Sequence, residues 1–162
     1  MQRARFINIF LVVFIVLLGF GLIMPLMPFY AATYGASDFL VGLLVASYAA
    51  AQFVGAPLLG RLSDRIGRRP VLVVSMLGTA AGFALLGVAE PAGRAIAGLL
   101  SPSPSVELQN GVILGVMFLS RLVSGLAGGM ITVAQAYIAD VTDASTRTQG
   151  MGMIGAAFGL GF

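Results

Sequence analysis

The sequence predicts an all-α membrane protein, and three observations predict it. Hydrophobic residues make up 59% of the 162-residue chain and charged residues 9%, against about half and a quarter in soluble domains. Apolar, largely uncharged runs recur along the chain, and most reach the roughly 20 residues that cross a bilayer core of about 30 Å. The densest charge cluster falls between two of these runs, in Gly60-Arg61-Leu62-Ser63-Asp64-Arg65-Ile66-Gly67-Arg68-Arg69-Pro70-Val71-Leu72. Its four arginines and one aspartate are too many for a bilayer interior and too few for a soluble domain. They mark a tight turn at a membrane surface.

Five segments follow from this pattern: residues 6–29, 39–59, 71–89, 112–139 and 150–162 of a single bundle spanning 1–162. The first four are long enough to span. The fifth reaches only about 20 Å before the sequence stops at Phe162. The chain therefore reads as an N-terminal fragment; a natural four-helix protein with a short re-entrant tail is the other reading. The first apolar run exceeds a signal peptide's h-region, so it is read as an uncleaved span.

Orientation follows from arginine alone, because there is no lysine. Arg3, Arg5, Arg61, Arg65, Arg68, Arg69 and Arg147 lie on one side, Arg94 on the other, and Arg121 inside the fourth segment. The positive-inside rule makes the chain a multi-pass protein of the inner (plasma) membrane with a cytoplasmic N-terminus. Residues 90–110 then form an extracytoplasmic loop. Ser101-Pro102-Ser103-Pro104-Ser105 cannot continue a helix. A flexible loop is expected there, with a short interfacial helix over 93–100 as the alternative.

The net charge of +3 does not indicate nucleic acid, since the arginines form no amphipathic face and no aromatic platform lies between them. Without Cys or His there is no thiol chemistry, no disulfide and no usual zinc set. No nucleophile–base pair is present either, so no enzyme, metal or cofactor is expected. Gly150, Gly152 and Gly155 match a dinucleotide fingerprint by spacing only, with no strand before them.

In the first segment Gly19, Gly21, Pro25 and Pro28 imply a kinked or locally broken outer half. Such backbone is tolerated at depth where it packs on protein or lines a pathway; an ordinary kink near the helix end is the plainer reading. Arg121, about ten residues in from the outer end, lies near the midplane by helical rise. A charge there costs at least about 2.5–3.5 kcal/mol on insertion scales. Ser124, Gly128, Thr132 and Gln135 continue from it on one helical face. This stripe is either the wall of an aqueous pathway, where Arg121 organises an anion, a proton donor or a substrate, or a structural arginine capping carbonyls. Tyr48 and Gln52, four apart, either line the same cavity or pack against neighbours. Gly125/Gly129, Gly78/Gly82, Gly111/Gly115 and Gly155/Gly159 form small-xxx-small pairs expected to let helices approach within the bundle. Asp140 closes the fourth segment at the membrane level of Asp64 and Arg65. Exposed charges at one level make pairs worth under about 1 kcal/mol each, weak enough for a switch.

Gly60-x-Leu62-x-Asp64-Arg65-x-Gly67-Arg68-Arg69 resembles the loop 2–3 signature of the major facilitator superfamily. Residues 19–28, Arg121-x-x-x-Gly125, and Ile138-Ala139-Asp140 through Arg147 resemble stretches of its drug:proton antiporters, above all the bacterial tetracycline efflux proteins. The resemblance covers nearly the whole chain except the 3–4 loop. It implies a major facilitator fold, here a partial N-terminal half bundle of helices 1–4 plus part of 5, with a C-terminal half expected. It also implies proton-coupled export of small amphipathic drugs or metabolites by alternating access across the lipid bilayer. Another small-solute transporter, or a helical membrane protein inactive alone, is the alternative. By that analogy Asp64, Arg65 and Asp140, with Arg68, Arg69 and Arg147 nearby, form a cytoplasmic latch; Gly60 and Gly67 permit close loop packing; and Arg121 serves proton coupling. Two departures stand out. Tetracycline exporters carry an acidic residue in the first helix, where Val16 and its neighbours are apolar here, and the 3–4 loop is longer than in the family.

Overall fold

The computed structural model describes residues 2–161, apart from the side chains of residues 2–6, 8, 9, 144 and 145. The side chains of Arg3 and Arg5, which help set the expected orientation, and the whole of Phe162 lie outside what is described. Among the described residues seven helices follow one another: α1 (Gln2–Thr33), α2 (Asp38–Ile66), α3 (Arg68–Gly87), α4 (Ala89–Leu100), α5 (Val106–Ala127), α6 (Met130–Val141) and α7 (Ala144–Gly161). No strand occurs among the described residues. Among the described residues four stretches, Phe10–Thr33, Asp38–Ile66, Arg68–Gly87 and Val106–Val141, are long and apolar enough to cross a membrane.

α1 runs unbroken through Pro25 and Pro28. Each proline withholds a donor from the carbonyl four residues earlier, but the local break that the sequence allowed does not form. Gly35, at φ +76°, turns the chain into α2, and the Ser37 hydroxyl caps α2 by accepting from the Leu40 N–H at 3.3 Å. Gly67 sits at φ +95° between α2 and α3. A residue bearing a Cβ adopts that region at a cost, so this glycine lets two spans meet in a one-residue turn.

The 90–110 connection is not a simple loop. Helical hydrogen bonding carries on past α3, from the Val88 N–H to the Ala84 carbonyl at 3.0 Å and from the Ala92 N–H to the Val88 carbonyl at 2.9 Å. α4 thus prolongs α3. Its buried stripe is small, Ala89, Gly93 and Ala97, and lies against α5, where a methyl on Gly93 would meet Ile113. Gly82 against Ser124 and Gly78 against Ala127 keep the same antiparallel register further down. Packing with α5, not helix-forming composition, decides these residues. Only the Ser-Pro-Ser-Pro-Ser stretch escapes, and its last residue, Ser105, caps α5 by accepting from the Leu108 N–H at 3.2 Å.

The fourth segment, expected as one span over 112–139, is two helices. α5 starts earlier, at Val106, and ends where Gly128 and Gly129 form a turn closed by the Gly128 N–H on the Gly125 carbonyl at 2.9 Å. Two adjacent glycines have low helix propensity, and both are needed by α2: a methyl on Gly128 would crowd the Tyr48 hydroxyl and one on Gly129 the Ala56 backbone. Of the four glycine pairs, Gly125/Gly129 and Gly78/Gly82 lie at helix contacts, whereas Gly111/Gly115 and Gly155/Gly159 face open space.

Two cores form. One joins Met27, Ala31, Leu44, Leu86, Ile113 and Met117 near the α1–α2 turn. The other joins Val13 and Leu17 of α1 to Ala134 and Ile138 of α6 and Ile154 and Ala157 of α7. The outward faces carry Phe53, Leu58, Val74 and Leu77, all exposed. Such contiguous apolar surface marks a membrane or interaction face.

Candidate functional site

α5 delivers Arg121 to the middle of the bundle with only 3% of its surface exposed. Close helix approach explains the depth. Gly125, one turn on, seats the Tyr48 carbonyl, and Gly55 of α2 seats the Leu126 backbone. The guanidinium carbon then lies 6.0 Å from the centre of the Tyr48 ring and 5.9 Å from that of Phe83. These are cation–π distances, worth about 2 kcal/mol or more when desolvated. Phe83 of α3 reaches this place because Gly19 of α1 leaves room for its edge. Tyr48 is in turn packed against Phe20 at 4.9 Å between ring centres.

Arg121, Tyr48 and Gln52 share one cleft of about 160 Å³, whose other walls are Phe20, Ile23, Met24, Met27, Val45 and Ala49. α1 thus supplies an apolar wall from its proline-containing half, and α2 and α5 supply the polar groups. The Gln52 side-chain amide donates to the Gly128 carbonyl at 3.1 Å, so it ties α2 to the α5–α6 turn. Nε and Nη2 of Arg121 are buried and have no hydrogen-bond partner among the described residues.

The stripe drawn from sequence does not stay together. Ser124 is fully buried and faces Gly82 of α3, not the cleft. Its hydroxyl, with those of Ser75, Thr79 and Ser120, lacks a partner within the described protein. Beyond the Gly128–Gly129 turn Thr132 and Gln135 are exposed while Val133 and Ala134 are buried. Gln135 does not line this cleft.

A second cluster forms where α2 meets α3. Arg68 pairs with Asp64 at 2.6 Å and with Asp140 of α6 at 3.0 Å. It also donates to the Ser63 hydroxyl at 2.6 Å, which itself donates to the Gly60 carbonyl at 2.7 Å. One guanidinium therefore joins the ends of α2 and α6. The carboxylates are 62% and 55% exposed, so each ion pair is worth at most about 1 kcal/mol. Arg147 donates to the Ala139 carbonyl at 3.2 Å, near the end of α6. Arg65 and Arg69 are exposed and enter no ion pair among the described residues. The bridge expected through Arg65 runs through Arg68. The nearness of Asp64 and Arg68 on either side of Gly67, whose turn brings the end of α2 to the start of α3, was the available signal. Nothing in the sequence singled out Phe83, and Gly19 was read as part of a kink rather than as the seat of that ring. A Cβ on Gly60 would meet nothing, so the close packing expected there is not present; Gly67 serves the turn.

The profile of the Major Facilitator Superfamily matches residues 9–162. Among curated relatives, the chain is 38% identical over 155 residues to tetracycline resistance protein, class E, of Escherichia coli, covering 93% of this chain and 32% of that protein. It is 37% identical to the class B protein of Escherichia coli, covering 89% and 31%. It is 28% identical to multidrug resistance protein 2 of Bacillus subtilis (strain 168), covering 99% and 35%. The chain spans about a third of the length of these relatives.

Proposed function

The chain belongs to the Major Facilitator Superfamily, and on that premise we propose that it supplies the N-terminal helices of a proton-coupled exporter of small amphipathic drugs or metabolites. The observation that carries this reading is the cleft itself: an apolar wall from α1 and α2 facing one guanidinium, reached through helices that meet at glycines. An amphipathic solute needs such a surface, apolar for its body with a few fixed polar groups to orient it. Similarity to tetracycline and multidrug resistance proteins over these helices supports drugs as the substrate class.

Transport requires the cleft to open to each side in turn. Arg68, Asp64 and Asp140 are suited to hold one of those states, because their ion pairs are exposed and weak. A C-terminal half would rock against this bundle around the cleft. The arginine-rich α2–α3 turn and Arg147 support a cytoplasmic position for that end and an outer one for α4, with the bundle in the inner membrane. No carboxylate is available at depth, since all six acidic residues, Asp38, Asp64, Glu90, Glu107, Asp140 and Asp143, stand at or near helix ends. Proton coupling then involves Arg121 with an acceptor outside these helices.

The test is export from proteoliposomes holding the protein together with its C-terminal half. An imposed pH gradient drives tetracycline movement in this account. Movement that ignores the gradient removes the coupling, and no movement of any amphipathic drug removes the exporter.

A further inference from the structure

We propose that Gln52 is a positioning residue for the latch: it relays occupancy of the cleft to Asp140 by holding or releasing α6 at a glycine hinge, Gly128–Gly129. This rests on the exporter reading only in taking the cleft as the place of the solute; the link from Gln52 to the latch stands apart.

The two cores meet at this turn. α5 packs Ile113, Val116 and Met117 into one, and α6 packs Ala134 and Ile138 into the other. Between them the Gly128 N–H bonds the Gly125 carbonyl, three residues back, at 2.9 Å, where a continuous α-helix bonds four back. A tightened turn of this kind inside an apolar segment is a hinge position. The arm beyond it is short. The 12 residues of α6 rise about 18 Å, and Asp140 near their end meets Arg68 at 3.0 Å. Arg147 donates to the Ala139 carbonyl at 3.2 Å, so that end carries the start of α7 with it.

Gln52 is tied to the near side of the hinge. Its side chain lines the cleft, and its amide donates to the Gly128 carbonyl at 3.1 Å. The Tyr48 hydroxyl lies against the same glycine. One side chain thus touches both the space that a solute would fill and the backbone of the hinge. A solute carrying a hydrogen-bond acceptor competes with the Gly128 carbonyl for that amide. Losing it leaves α6 held at its other end by the exposed Arg68–Asp140 pair, a weak restraint. What is lost is one neutral hydrogen bond, so the ratio of open to closed latch should change about two- to tenfold. The link is reciprocal, since whatever opens the latch must alter the cleft by the same factor.

The test places spin labels at Arg61→Cys and Asp143→Cys, both exposed, in the chain held in lipid nanodiscs. A control pair, Phe39→Cys and Val106→Cys, sits at the exposed starts of α2 and α5 and does not cross the hinge. Pulsed electron–electron double resonance should show Gln52→Leu raising the longer Arg61–Asp143 population about two- to tenfold while the control pair stays as it was. Gly128→Ala, whose methyl crowds the Gln52 amide nitrogen, should give the same shift. The two together should give no more than either alone, because both break one link. Tetracycline, added as the probe, should shift the wild type in the same direction and leave Gln52→Leu unmoved. The variants are read without ligand, so a failure of tetracycline to bind counts against the exporter while the variants still decide the hinge. Circular dichroism and a thermal melt check folding, and if Gln52→Leu does not fold, Gly128→Ala decides. Unchanged Arg61–Asp143 distances in both variants, equal shifts in the two label pairs, or a tetracycline shift that survives Gln52→Leu overturns the proposal.

Discussion

The Arg68 guanidinium reaches the Asp140 carboxylate at 3.0 Å, joining the start of α3 to the end of α6 across 72 residues of sequence. The same guanidinium holds Asp64 at 2.6 Å. Removing one exposed carboxylate should hardly disturb folding, because such pairs contribute about 1 kcal/mol or less. Asp64→Asn and Asp140→Asn are therefore each expected to leave expression and melting temperature near wild type while abolishing gradient-driven drug export by the protein paired with its C-terminal half. Undiminished export in both variants would remove the latch role.

Helix approach at α2–α5 should respond to a single methyl group. Gly55 abuts the Leu126 backbone and Gly125 the Tyr48 carbonyl. Backbone cannot swing aside as a side chain does, so Gly55→Ala and Gly125→Ala should each cost about 1–3 kcal/mol through overpacking. Gly111→Ala and Gly155→Ala face open space and should be neutral or stabilising by up to about 1 kcal/mol from helix propensity. Chemical unfolding in detergent micelles separates the two classes, and equal effects at all four sites would contradict the packing described.

The aromatic clamp on Arg121 can be tested without changing the arginine. Phe83→Leu keeps an apolar side chain of similar reach but no ring face, and should cost about 1–2 kcal/mol where the cation is desolvated. In an Arg121→Gln background most of that cost should vanish. A double-mutant cycle measures this, and a coupling energy near zero would make Phe83 an ordinary packing residue.

Gln52 ties α2 to the α5–α6 turn through the Gly128 carbonyl. Gln52→Leu preserves bulk but leaves that carbonyl without its donor, so a loss of about 1–3 kcal/mol is expected. Thermal melts of the variant check it; an unchanged melt would mean that the turn is held by its glycines alone.

Much of the bundle was readable because its solvent is lipid. Apolar length and arginine position mark spans and turns without any need for amphipathic periodicity, so α1, α2 and α3 were legible. The α5–α6 break was not, since Gly128 and Gly129 read equally well as packing residues within one span. α4 was legible only in its last part, as the alternative helix over 93–100, because its stripe of Ala89, Gly93 and Ala97 is meaningful only against Ile113 of α5. At the site, Tyr48, Gln52 and Arg121 were legible as polar groups at depth, and the structure brings all three to one cleft. Ser124 was misplaced because a helix face that meets another helix looks polar and small just as a cavity wall does, and Gln135 lies past the Gly128–Gly129 turn on an exposed face. The analogy put Arg65 at the centre of the latch with Arg68 nearby; the turn at Gly67 brings Arg68 to both carboxylates.

The central claim is that the joined ends of α2–α3 and α6 separate during a transport cycle. The chain has no native cysteine, so Arg61→Cys and Asp143→Cys, both at exposed positions, can carry spin labels without background. Pulsed electron–electron double resonance on the reconstituted protein with its C-terminal half should give two distance populations. Asp140→Asn should shift the balance toward the longer one. A single distance distribution, unchanged by Asp140→Asn and by substrate, would contradict the account.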